Sequence, residues 1–193
     1  MSTGQDTTGT GTSTDTGIRL NLGCCDRHIP GFINIDIVPP ADELVDLSDP
    51  WPWPRDSVTE VLALDICEHI PDFNHLFTVD DDSPEGCRLR HKNGRIFFMN
   101  ELHRILIPGG IATIETPNAA HGSGFFQDPT HISPWCLSTF KYFESGAFAH
   151  QRLSKSYGIT AAFEILELNE FSTRGEDPRE TVWKIKAVLR AVK

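Results

Sequence analysis

Ile18 to Val38 reads IRLNLGCCDRHIPGFINIDIV, and the fold turns on this stretch. A short apolar run, Ile18 to Leu22, breaks off at Gly23. A second run, Phe32 to Ile35, ends on an acid, Asp36. Strand, glycine turn, strand and terminal acid form the opening half of a Rossmann-type nucleotide unit. In such a unit both Gly23 and Asp36 stand at the carboxyl ends of parallel strands. The glycine lets the backbone come close to a ligand, and the carboxylate takes the two hydroxyls of a ribose. The acid follows the glycine by only 13 residues, against about 20 in nicotinamide enzymes, and the full G-x-G-x-x-G is absent. Both facts weaken a dehydrogenase reading.

Upstream, residues 1–17 are Gly, Thr, Ser and Asp with almost nothing apolar. Such a segment cannot bury enough surface to offset its ordering entropy, so a disordered tail is expected there and a single domain over 18–193. Downstream, Leu44-Val45 predicts a brief third strand that ends at Asp46-Leu47. Trp51-Pro52-Trp53-Pro54 must be a loop, because its prolines forbid ladder or helix. Thr59 to Leu64 reads as a buried fourth strand ending at Asp65, and residues 79–94 as a surface insertion. Phe97, Phe98, Leu102, Ile105 and Leu106 recur at helical spacing, which predicts a helix over about Arg95 to Leu106, ended by Pro108-Gly109-Gly110. Ile111 to Thr116 is the fifth strand, followed by a long loop and a short helix about Trp135 to Tyr142. The last two strands, Phe163 to Phe171 and Thr181 to Val192, are joined by a link short enough for an antiparallel pair. The expectation is an α/β sandwich whose mostly parallel sheet ends in an antiparallel hairpin.

The 193 residues are 39% hydrophobic and 23% charged, ordinary for a globular chain. No apolar run nears the roughly 18–20 residues that span a bilayer, and the amino terminus lacks the blocks of a secretion signal. A cytoplasmic protein with five free thiols is expected. The net charge of −10 opposes non-specific nucleic-acid binding. It is uneven: +2 from Lys141 onward and −12 before it.

Four stretches together resemble the class I S-adenosylmethionine-dependent methyltransferases in their short, minimal-domain form. Leu20-Asn21-Leu22-Gly23-Cys24 with Gly31 to Asp36 looks like the family's first motif and ribose acid. Asp46-Leu47-Ser48 before Trp51-Pro52-Trp53 resembles its adenine-contacting segment. Leu64 to Ile70 is similar to the "EH" segment after the fourth strand, and Glu101 to Gly110 to the E-x-x-R-x-L-x-P-G-G helix end. The resemblance implies a Rossmann-like methyltransferase domain and S-adenosyl-L-methionine as cofactor. It implies Asn21, Leu22, Gly23, Cys24, Asp36, Ile37, Asp46, Leu47 and Asp65 as cofactor-binding residues. One departure is Cys25, which stands where the family has a second glycine; a positive φ there costs about 1 kcal/mol.

The acceptor is expected to be a small molecule or sugar methylated on oxygen or nitrogen. Asp65 faces the methionine end or substrate mouth. His131, in the loop after the fifth strand, is the candidate base or orienter, because imidazole titrates near neutrality; His121 is a second choice. Trp51, Trp53 and Phe125-Phe126 either line the cleft or pack the core. Glu68 and His69 read first as loop-holding residues, and no metal is assigned. Asp65, Glu68 and His69 at i, i+3, i+4, with His131, also resemble the metal set of the small-RNA 3′-end ribose methyltransferases. That leaves a macromolecular acceptor, or a non-catalytic Rossmann-like binding module, as the alternatives.

Overall fold

The computed structural model describes residues 17–72, 93–174 and 181–193. The expected tail lies outside these except for Gly17, and the expected insertion lies outside them except for Asn93 and Gly94. The described residues form one seven-stranded sheet in the order β3-β2-β1-β4-β5-β7-β6. Its strands are β1 (Ile18–Leu22), β2 (Ile33–Asp36), β3 (Glu43–Leu44), β4 (Val58–Leu64), β5 (Leu106–Pro117), β6 (Phe163–Arg174) and β7 (Thr181–Ala191). Strands β1 to β5 pair in parallel. β7 inserts antiparallel between β5 and β6, so the expected terminal hairpin is present. The order reverses beside β1, and in open α/β sheets ligands bind at that switch point, outside the carboxyl ends of the strands.

Leu20, Leu22, Val61, Ala63, Ala112, Ile114, Ala187 and Leu189 are all at most 1% exposed and form the middle of the core. Each fully buried leucine contributes about 1.5–3 kcal/mol. Helix α1 (Gly94–Ile105) adds Phe97, Phe98, Leu102 and Ile105 to that core. Asn93 starts it, its side chain accepting from the amides of Arg95 and Ile96. Asn93 and Gly94 therefore open the helix and are not part of a surface insertion.

The helix ends at Ile105, before the Pro-Gly-Gly string. Pro108, Gly109 and Gly110 instead lie inside β5, where the pairing with β4 shifts register between Val58 and Glu60 and Gly109 takes φ +78°. No helix intervenes between β1 and β4 among the described residues. The Trp-Pro loop packs there instead. Trp51 and Trp53 are 4% and 7% exposed, and Trp51 meets Phe98 edge-on at 5.4 Å. They are core residues. The short helix is confined to α2 (Leu137–Phe140), while α3 (Phe148–Tyr157) has no counterpart in the sequence reading.

Candidate functional site

The loop after β1 is built by a buried polar chain. Asn21 Nδ2 donates to the Arg27 carbonyl at 2.8 Å and to Asn34 Oδ1 at 3.0 Å. Asn34 in turn donates to Asp42 Oδ2 through both its amide and its side chain. This ties the ends of β1 and β2 to one shape. Cys25 is held in it at φ 48°, so the position does require the left-handed conformation that glycine fills in the family, and a cysteine adopts it. Its amide donates to Asp36 Oδ2 at 2.8 Å. Asp36 Oδ1 accepts from the amides of Ile37 and Val38.

A cleft of about 380 Å³ opens over these groups. Of the expected cofactor residues, Gly23, Asp36, Ile37, Asp46, Leu47 and Asp65 line it. Asn21, Leu22 and Cys24, at 2%, 0% and 1% exposed, are not among the residues that line it. Burial and the Asp36 charge push the Cys24 thiol up from its ordinary value. Cys25, Val45, Ser48, Ile66 and His69 also line the cleft, and sequence reasoning missed them there. Gly23, at φ +66°, does not face open space: a Cβ there would lie 2.7 Å from the Ile66 side chain.

Asp65 stands at the boundary with a second, larger cleft of about 550 Å³. It too has a positive φ, 58°. Both its oxygens take Lys184 Nζ of β7, at 2.8 and 2.6 Å, and Arg27 reaches Oδ2 at 3.4 Å. The acid therefore sits between cations from two ends of the chain, which the local sequence does not reveal.

The second cleft is lined by Glu68, Asp128, His131 and Lys184, among others. Two loops meet beside it because the Glu68 carbonyl accepts the amides of Ile132 and Ser133, and the Ser133 hydroxyl donates to the Ile70 carbonyl. That stitching brings the rings of His69 and His131 to 4.7 Å. His131 Nδ1 lies 2.9 Å from the Phe125 carbonyl, and its Nε2 stands 3.9 Å from Glu68 Oε1 and 3.8 Å from Asp128 Oδ2. Burial, opposed by the backbone and by the Thr116 hydroxyl, pushes the Glu68 carboxyl up to about 7. Burial, then the neighbouring His131, lowers the His69 imidazole. The side chain and amide of Thr130 lower the Asp128 carboxyl. His121 stacks on Trp183 at 4.8 Å and lines neither cleft, while Phe126 is 75% exposed and Phe125 buried. Among the described residues, no helix is long and apolar enough to cross a membrane, and Cys24, Cys25, Cys67 and Cys136 are free thiols.

No protein-family model matches the sequence, and no curated protein matches it. Solved structures do. A SAM-dependent methyltransferase from Methanosarcina mazei aligns over 91% of this chain and 92% of its own, with TM-score 0.56 and 10% identity. One from Archaeoglobus fulgidus aligns over 90% and 86%, with TM-score 0.53 and 14% identity. The N-methyltransferase NodS from Bradyrhizobium japonicum, in complex with S-adenosyl-L-homocysteine, aligns over 92% and 79%, with TM-score 0.51 and 11% identity. Strand order, terminal hairpin and these likenesses agree: the chain has the class I S-adenosylmethionine-dependent methyltransferase fold.

Proposed function

We propose that the protein is a methyltransferase that binds S-adenosyl-L-methionine in the 380 Å³ cleft and methylates an oxygen or nitrogen of a small molecule or sugar. One observation carries the reading. Gly23 and Asp36, at the carboxyl ends of β1 and β2, line a single cleft that meets a second at Asp65.

The residues present fit the cofactor. The cleft wall carries Asp36 and Asp46, which suits a cationic ligand. An ionised carboxylate has about four lone-pair sites. Backbone amides occupy Oδ1 of Asp36 twice and Oδ2 once, which leaves a site on Oδ2 for a ribose hydroxyl. When bound, the cofactor supplies a methyl on cationic sulfur, whose bond to carbon breaks as the new O–C or N–C bond forms.

The rest is the chain's own work. The second cleft seats the acceptor against the first. An attacking hydroxyl must lose its proton, and His131, whose Nδ1 is held by the Phe125 carbonyl, lines the cleft where that proton leaves.

The test is calorimetry with S-adenosylhomocysteine on the full chain. Wild type is expected to bind it, and Asp36→Ala to lose binding while its melting temperature stays within a few degrees. Unchanged affinity in the variant, or no binding by wild type at millimolar ligand, overturns the proposal.

A further inference from the structure

Glu68 is the group that methyl transfer leaves without a task. Its side chain is fully buried. Oε2 takes the Thr116 hydroxyl at 3.0 Å, while Oε1 is buried without a hydrogen-bond partner. Proteins rarely leave such an oxygen bare unless something binds it.

Two imidazoles stand beside that carboxylate, each with its proton placed by a neighbour. A carbonyl only accepts, so the Phe125 carbonyl at 2.9 Å fixes the His131 proton on Nδ1 and leaves the lone pair on Nε2, which is the atom 3.9 Å from Glu68 Oε1. The Thr130 hydroxyl gives its proton to Asp128 Oδ1 at 2.6 Å and lies 3.1 Å from His69 Nδ1. It therefore accepts from that nitrogen, and His69 also keeps its lone pair on Nε2. A second partner that holds the proton on one nitrogen and bares the other is the arrangement metal-binding histidines carry.

One donor atom from each of Glu68, His69 and His131 lies within 4.8 Å of the others. Bonds of about 2.0–2.2 Å keep two ligands of one ion within about 4.4 Å, so closure needs side-chain shifts of only a few tenths of an ångström. Asp65 is outside the set, because Lys184 engages both its oxygens.

We infer that Glu68, His69 and His131 form a binding site for one first-row divalent cation, where the larger cleft, lined by Glu68 and His131, meets the smaller, lined by His69. Two imidazoles and one carboxylate suit zinc, cobalt, manganese or iron, whereas calcium and magnesium prefer oxygen throughout. Three protein ligands leave coordination positions for an oxygen donor. The use of the ion rests on the methyltransferase reading: an acceptor hydroxyl held there loses its proton more readily, and His131 is then a ligand and no base.

The test loads metal-stripped full-length protein with cobalt(II), read by visible absorption, and with zinc(II), read by calorimetry. Wild type is expected to take up one equivalent. His69→Ala and His131→Ala are expected to weaken uptake at least 100-fold, and Glu68→Gln likewise where it folds. His121→Ala, outside the cluster, is expected to retain it. No saturable uptake by wild type at millimolar metal, or uptake undiminished in His69→Ala and His131→Ala, overturns the site. S-adenosylhomocysteine binding, measured on the same samples, separates the two readings: it survives if only the metal site is wrong.

Discussion

Gly23 meets two demands, a positive φ and close contact with Ile66. Cys25 two residues on meets only the first, with its side chain exposed. The two positions therefore respond differently. Gly23→Ala adds both the left-handed cost and a Cβ 2.7 Å from Ile66, and is expected to destabilise by roughly 2–4 kcal/mol. Cys25→Ala keeps the same φ cost and is expected to stay within about 0.5 kcal/mol of wild type. Urea unfolding of both variants checks this, and equal losses would show that dihedral angle alone governs the turn. The glycine was legible from sequence as a strand-ending turn. Its partner was not, because Ile66 belongs to a segment that arrives only when β4 pairs beside β1.

At the scale of elements, the Glu101 to Gly110 string acquires a structural meaning. Arg104 Nη1 and Nη2 donate to the carbonyls of Trp53 and Trp51 at 2.8 and 2.9 Å, and Nη2 pairs with Glu101 Oε2 at 2.7 Å. Glu101 also receives the Trp51 amide. The E-x-x-R pair of α1 thus clamps the Trp-Pro loop, which occupies the place of a helix between β3 and β4. A guanidinium fork serves both carbonyls at once, and an ammonium does not. Arg104→Lys is expected to cost about 1.5–3 kcal/mol, seen as a lower urea midpoint at unchanged slope. A loss below 0.5 kcal/mol would argue against the clamp. Helix α3 escaped sequence reading for a plain reason. It has no buried residue, with Phe148 73% exposed, so it shows no apolar stripe.

Across the whole molecule, the chain's end is tied to its middle. His103 of α1 is 9% exposed, donates through Nε2 to the Val192 carbonyl at 2.8 Å, and meets Phe163 edge-on. Lys193 reaches the His103 carbonyl and pairs with Asp56. Burial is the largest influence on the His103 imidazole and lowers it from its ordinary value. A lowered histidine favours the neutral form in the fold, so the unfolded chain binds more protons just below about 6.5. The contribution is present above that pH and is lost progressively as pH falls below it toward the lower folded-state value. Wild type is expected to lose more stability than His103→Gln between pH 7.5 and 5.5. Parallel curves for the two proteins in urea would remove His103 from the account.

Sequence alone determined the strand succession from β1 to β7, the antiparallel end, the glycine turn and the acid closing β2. Each is a local pattern of apolar periodicity and turn chemistry, readable within a window of a few residues. The tertiary structure decided what those residues face. It set Lys184 against Asp65 across 119 residues of chain and Thr116 against Glu68 across 48. It also brought His131 to the bare oxygen of Glu68. Such meetings depend on strand order and on which loops share the sheet's carboxyl edge. A residue's immediate neighbours in sequence carry no record of either.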